Sequence, residues 1–494
     1  MGAPNHRRPV SHIATAVVIA LAVTACGGGG PSDRGSSRAA QPGPQRHLPT
    51  DLPTTRDLAL TDPDDDPLST FALDVDTGSY TRFRDAVNQG RRIAPSEVRT
   101  EEFVNYFEQG YEAPREGLDV SIDAAVLPFR DGHRLVRVGI RSADADDESR
   151  SDADLVLVVD CSGSMDEAGK MDTTKVALRT LAASLRATDR VAMVCYSTEA
   201  EVALEPTPAS DHRAIARAID SLHPQASTHA EAGLALGYDL ARSMRAEGRM
   251  SRVVLVSDGV ANVGDTSPGG ILERISTQAR AGTSLISVGV GIENYNDQLL
   301  EQLADRGDGW HVYVDTSAEA ERVFATGLTG SLVVTARDAK AQVEFDPDRV
   351  KGYRLLGYEN RDVADRDFRN DAVDGGEVFA GHATTALYDV ELREGARDAS
   401  FVKATVRYLD ASGRAVERTR QLRDADCAPT VEQASPRLRQ DLVVAMLTDR
   451  LTGGPWSRWT GPGDLRERAA ALPASLDGDR DVAELVRLID RVTT

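Results

Sequence analysis

Five oxygen-bearing side chains in this sequence stand at spacings that could grip a hard cation. The stretch 155–165 reads LVLVVDCSGSM, an apolar run that ends in Asp160 and is followed by Ser162 and Ser164 at alternate positions. Asp258 closes a second apolar run, VVLVSDG, and Thr228 stands in the loop QASTH ahead of a helical stretch. An all-oxygen set favours Mg²⁺, with Mn²⁺ or Ca²⁺ as the other candidates. In this reading the hydroxyls of Ser162, Ser164 and Thr228 are neutral direct ligands. Asp160 and Asp258 balance the charge through water or through hydrogen bonds to those hydroxyls. A cation held by neutral oxygens stays electron-poor, and a carboxylate from another molecule is its natural sixth ligand. The chemistry implied is recognition of an Asp or Glu on a protein partner. Taken alone, the Asp-x-Ser-x-Ser spacing is also what a strand end capped at a turn would show.

Two rival classes can be weighed on the same page. Residues 71–79, FALDVDTGS, set Asp76 in an Asp-Thr-Gly-Ser loop after an apolar run, which resembles the catalytic loop of aspartic proteases. Those enzymes need two carboxylates sharing one proton. No second Asp-Thr-Gly or Asp-Ser-Gly occurs, and a helical pattern follows, so Thr77 or Ser79 reads more simply as a helix cap. HExxH, GxSxG, a Walker loop and GxGxxG after a strand are all missing, so no catalysis is expected. His229 reads as a loop residue, and His311 as one that packs or faces water. The second rival is a scaffold whose metal only braces the fold.

The elements that must position the five oxygens come from residues 153–326. ADLVLVVD, DRVAMVCYS, SRVVLVSD and GTSLISVGV are short apolar runs suited to parallel strands covered on both faces. Amphipathic stretches such as KVALRTLAASLRA and HAEAGLALGYDLARSM alternate with them, and EAEVALEPT reads as an antiparallel edge. The fold class is α/β, a doubly wound, mostly parallel sheet, in which ligands bind beyond the carboxyl ends of the strands. Both aspartates fall at such ends.

Period-two patterns dominate the flanks. The segments expected are a leader over 1–26, a disordered tether over 27–66, an N-terminal segment over 67–118 and a β hairpin over 119–150. The α/β domain then covers 151–330, a β-rich region 331–430 and a helical region 431–494. The hairpin is expected to pack with the later β region, so that the α/β domain is inserted between them.

The chain has 494 residues and a formal net charge of -21, which argues against nucleic acid as a partner because no basic stripe could release phosphate counterions. Arg7 and Arg8 precede a short apolar stretch ending Val-Thr-Ala-Cys26, with four glycines after it. This resembles the lipobox of bacterial lipoproteins. The resemblance implies cleavage before Cys26, lipid on its thiol and an extracytoplasmic, membrane-anchored protein; several acyl chains suffice for stable anchoring. Cys161, Cys195 and Cys427 remain, an odd number that implies no disulfide framework. They are read as small buried residues, with a Cys161–Cys195 bond left open, as is the oligomeric state.

With these residues in place, the chain resembles a known family. Asp-x-Ser-x-Ser, the loop Thr and the Asp after an apolar strand are similar to the metal-ion-dependent adhesion site of von Willebrand factor type A domains. All five positions are filled, by Asp160, Ser162, Ser164, Thr228 and Asp258, and Cys161 is the one departure. Outside 150–330, LDVDTGSY, VRTEEFVNYF, YRLLGYENR and GHATTALYDV resemble the flanking segments of a bacterial lipoprotein family that carries such a domain. The resemblance implies a Mg²⁺-dependent, protein-binding module rather than an enzyme.

Overall fold

The computed structural model describes residues 60–73, 77–145, 150–225, 227–259, 268–291, 297–307, 309–324, 333–358, 364–370, 376–395 and 399–493. The leader with Cys26 and the loop carrying Asp76 lie outside these residues. In chain order the flank opens with β1 (Leu68–Ala72), α1 (Gly78–Asn88), α2 (Thr100–Tyr106), β2 (Leu118–Val126) and β3 (His133–Ser142). The α/β part follows as β4 (Ala153–Asp160), α3 (Lys170–Ser184), β5 (Arg190–Tyr196), β6 (Ala200–Pro208), α4 (His212–Ser221) and α5 (Ala230–Met244). It continues with β7 (Met250–Ser257), α6 (Pro268–Arg280), β8 (Thr283–Val290), α7 (Asp297–Arg306), β9 (His311–Val314) and α8 (Ser317–Arg322). The second flank holds β10 (Val334–Phe345), β11 (Val350–Leu355), β12 (Val378–Phe379), β13 (Ala383–Leu392), β14 (Ser400–Leu409) and β15 (Ala415–Arg423). Helices Pro436–Thr452, Pro462–Ala471 and Arg480–Thr493 come last.

The α/β part is the doubly wound sheet its apolar runs require. Strands run β6-β5-β4-β7-β8-β9, parallel throughout except that β6 pairs antiparallel on β5 at the edge. Every residue of β4 is buried, and its alternate side chains feed two different cores. Leu155, Leu157 and Val159 pack with Leu178, Leu181, Ile215, Ile219 and Phe324 on one face. Val156 and Val158 pack with Leu234, Tyr238, Ala241 and Leu303 on the other. The chain leaves β4 for β5 on one side and returns to β7 on the other, so the sheet order reverses at β4. In open α/β sheets that reversal opens a crevice at the carboxyl ends of the strands.

Both flanking sheets draw strands from either side of 153–324. One runs β1-β10-β14-β15 with β12 beside β10, and the other runs β11-β13-β3-β2. Strand β3 pairs antiparallel with β13, Val136 opposite Tyr388 and Val138 opposite Ala386. Val136, Val138, Val343, Phe345, Tyr388 and Val406 form the core between the two sheets. A fourth core joins α1 and α2 to the C-terminal helices through Tyr80, Phe83, Phe103, Leu438, Trp456 and Leu485.

One buried ion cluster ties this helical layer to the end of the α/β part. Arg84 of α1 donates to both oxygens of Asp315, at 2.9 and 2.5 Å, and to Glu319 of α8 at 3.2 Å. The Tyr106 hydroxyl donates to the same Glu319 carboxylate at 2.8 Å. Among the described residues no helix is long and apolar enough to cross a membrane.

Candidate metal centre

Asp160 ends β4 at the point where the sheet order reverses, and its side chain has no exposed surface (0%). One carboxylate oxygen accepts from the Ser162 backbone N–H at 2.8 Å. The other accepts from the Ser257 hydroxyl at 2.8 Å and the Tyr196 hydroxyl at 3.2 Å. All of these donors are neutral. Burial holds the Asp160 carboxyl above the ordinary carboxylate range, the hydrogen bonds from Ser162 and Ser257 pull against it, and the charge of Asp258 adds to it.

From Asp160 a chain of oxygens runs along the rim. The Ser162 and Ser164 hydroxyls lie 3.0 Å apart, and the Ser164 hydroxyl donates to Asp258 Oδ1 at 3.0 Å. Asp258 directly follows β7, the neighbour of β4, which is why two residues distant in sequence meet here. Four of the five residues singled out in the sequence are thus joined by hydrogen bonds. Thr228 stands half-buried in the adjoining loop, two residues before α5, and among the described residues it is not part of that hydrogen-bond chain.

The Thr228 loop is nonetheless fixed beside the rim. The Gln225 N–H donates to the Cys161 carbonyl at 2.7 Å, and the Gln225 side-chain oxygen accepts from the Ser197 hydroxyl at 2.7 Å. On the far side of the loop, α5 presses its backbone onto Tyr196. A Cβ added at Gly233 would come within 2.6 Å of the Tyr196 ring, so only glycine lets that ring reach Asp160.

One feature was left open by the sequence and a second was missed. Cys161 and Cys195 form a disulfide, with their Cα atoms 5.8 Å apart. The sequence leaves this bond open, and the structure forms it. Val159 lies opposite Cys195 in the parallel register, so the residue just past the end of β4 has the β5 cysteine within reach. An odd cysteine count conceals such a pair because Cys427 is left over.

The second is Lys170, the first residue of α3. Its ammonium donates to Asp258 Oδ2 at 2.9 Å, and both side chains are 4% exposed. A Cβ at Gly291, whose φ is +80°, would lie 2.4 Å from Lys170 Cε, so the lysine stem runs over a bare backbone. A cation at a helix N-terminus opposes the macrodipole, an oddity that shows only once α3 is seen to start at Lys170.

Among the described residues no three His, Cys, Asp or Glu side chains gather to hold a metal. A cation at this rim would draw on the serine hydroxyls as well as on carboxylates. The donor set suits one: a fully buried carboxylate with only neutral donors, next to two hydroxyls facing each other. His229 stands at the N-cap position of α5 without a side-chain cap bond, His311 bonds the Ser287 hydroxyl at 2.7 Å, and neither is part of the chain of oxygens.

Comparison with known proteins agrees with this architecture. Residues 154–326 match the family described as von Willebrand factor type A domain, and residues 53–137 match one described as von Willebrand factor. Residues 330–494 match the family described as Uncharacterized protein YfbK, C-terminal. The chain is 28% identical over 179 residues to Inter-alpha-trypsin inhibitor heavy chain H3 of Homo sapiens, covering 34% of this chain and 20% of that one. A solved structure, von Willebrand factor type A from Catenulispora acidiphila, aligns with a TM-score of 0.39 at 17% identity over 78% of this chain and 88% of that one. Uncharacterized protein YfbK of Escherichia coli (strain K12) is 32% identical over 483 residues, covering 92% of this chain and 82% of that protein. By that match, and by the von Willebrand factor type A domain it carries between its flanks, the chain belongs to the YfbK family.

Proposed function

We propose that this chain is a recognition module that binds a protein partner's Asp or Glu carboxylate through a divalent cation, Mg²⁺ first among the candidates. Ser162, Ser164 and Thr228 would hold the cation by their hydroxyls, with Asp160 and Asp258 behind them. When bound, the cation supplies an electron-poor coordination position that an outside carboxylate can fill. Asp160 takes the Ser162 backbone N–H and so shapes the loop that presents both serine hydroxyls. Asp258 accepts from Ser164 and orients that hydroxyl from the other side. The observation that carries the reading is Asp160 itself: a wholly buried carboxylate whose hydrogen bonds all come from neutral groups. A buried charge without a cation is costly, and a metal at this rim removes that cost.

Both serine hydroxyls are engaged along the chain of oxygens, and among the described residues no general base stands beside a free nucleophile at the rim. The reading is therefore binding rather than catalysis. Calorimetry with Mg²⁺ on wild type and on Ser162→Ala/Ser164→Ala tests the metal, with binding expected only in wild type. Crosslinking pull-down from cell envelopes, with and without EDTA and with Asp160→Ala, tests the partner. Equal recovery of every protein in all samples overturns recognition. Metal loss that lowers stability but leaves recovery unchanged would leave only a brace.

Envelope anchoring through lipid on Cys26 is part of the same proposal, supported by the small residues before that cysteine and the glycines after it. Labelling with a fatty-acid analogue in a bacterial host should mark wild type and not Cys26→Ala.

A further inference from the structure

Lys170 is the group at the rim that the metal reading does not use. It is buried, it contacts the Asp258 oxygen that Ser164 leaves free, and its stem has a dedicated groove over Gly291. Its other acidic neighbour, Glu167, is 3.6 Å away and 61% exposed, so water screens that contact. A buried ammonium gives up its hydration and needs a close partner to offset that loss, and a helix N-terminus is a poor place for one. The arrangement therefore sets a fixed positive charge behind Asp258.

We propose that Lys170 sets the charge of the loaded site, weakening its hold on the cation so that the bound cation attracts a carboxylate. This rests on the metal-dependent reading above and adds a role for one residue to it. Asp160, Asp258 and Lys170 together leave a single negative charge. A divalent cation converts that to a single positive charge, which an incoming carboxylate neutralises. Without Lys170 the two aspartates alone would cancel the cation, and the loaded rim would be neutral toward an acidic ligand. Coulomb interactions at a buried rim fall off slowly, so one fixed charge affects both the metal and the ligand, in opposite directions.

The test uses the purified full-length chain, Mn²⁺ as metal probe and acetate as carboxylate probe. Electron paramagnetic resonance counts free Mn²⁺, and water-proton relaxation of the Mn²⁺-loaded protein reports acetate displacing bound water. Lys170→Met should bind Mn²⁺ about tenfold more tightly, the scale on which groups behind metal ligands act. Its loaded form should bind acetate more weakly than wild type. Lys170→Arg, which keeps the charge, should behave as wild type in both. Lys170→Gln loses the charge but can still donate to Asp258. It serves if the methionine variant does not fold, with the same two shifts expected. Unchanged or weaker Mn²⁺ binding in the folded neutral variants, with wild type binding Mn²⁺, overturns the role of Lys170 alone. Tighter Mn²⁺ binding with undiminished acetate binding also overturns it. Wild type that binds no Mn²⁺ overturns the metal-dependent reading and this role together.

Discussion

Removing the Cys161–Cys195 bond tests the structure at the point where the candidate site joins the sheet. The bond links positions 34 residues apart, a span that contains Ser162, Ser164, α3 and most of β5. Closing a loop of that length lowers the entropy of the unfolded chain, and the loop-entropy relation assigns about 4 kcal/mol to it at 25 °C. The native rim has other restraints. The Cys161 N–H donates to the Tyr196 carbonyl at 2.8 Å, and the Cys161 carbonyl accepts from Gln225 at 2.7 Å. The loss therefore falls chiefly on global stability rather than on site geometry. Hydrogen exchange of β4 and β5 amides, which open only with the sheet, should run about a thousandfold faster in Cys161→Ala/Cys195→Ala than in oxidised wild type, since every 1.4 kcal/mol is tenfold. Wild type treated with a phosphine reductant should approach the variant; Cys195 is partly exposed and offers the point of entry. Acceleration below tenfold in both samples would refute the reasoning, because the bond would then be absent or unstabilising.

Two further outcomes follow from buried charges in the flanks. Arg84→Met leaves Asp315, 4% exposed, without its guanidinium and Glu319, 3% exposed, with Arg322 alone, and should cost about 3–5 kcal/mol in urea unfolding; a loss under about 1 kcal/mol would mean the cluster is not formed. Asp441 is fully buried, and burial, opposed by Arg137 and Gln109, pushes its carboxyl up to about 6. A raised acid binds its proton more tightly folded than unfolded, so its protonated form favours folding and stability falls as pH rises from about 4 to about 6. Relative to Asp441→Asn, wild type should lose about 3 kcal/mol across that window in pH-dependent unfolding, and parallel curves would contradict it.

The α/β class was legible because β4 and β7 carry the unbroken apolar runs LVLVV and VVLV, and β8 the run LISV broken by one serine, a pattern that a sheet covered on both faces explains. The meeting of Asp160 with Asp258 was legible for the same reason: each closes such a run, and parallel neighbours end at the same rim. Partners set by the third dimension were not legible. Period two marks β3 and β13 as strands but does not say that Val136 faces Tyr388 across 252 residues of chain. Lys170 escaped notice because the clear apolar periodicity begins later, at KVALRTLAASLRA, whereas α3 starts at Lys170. Its first turn buries Met171 and Thr174 under the rim, where burial does not follow from the pattern of the later turns.

What sequence type cannot show is the sum of charges at a rim, and that sum decides what the rim attracts. Asp160 and Asp258 look alike as letters, yet one is surrounded by neutral donors and the other holds an ammonium. Asp160 is thus the carboxylate whose charge still lacks a counterion, while Asp258 orients Ser164 and has its charge already met. The two should respond differently to neutralisation. Asp160→Asn removes the uncompensated charge and, with it, most of the pull on a cation. Asp258→Asn instead strands Lys170 as a buried cation 4% exposed beside the same hydroxyls. Both changes weaken metal binding, and Lys170→Met should tighten it in either background, but by more than it does in wild type only beside Asp258→Asn, where the ammonium has lost its carboxylate. A double-mutant cycle on Mg²⁺ affinity measures this directly: coupling between positions 258 and 170 with none between 160 and 170 is the result the geometry requires, and equal coupling in both pairs would contradict it.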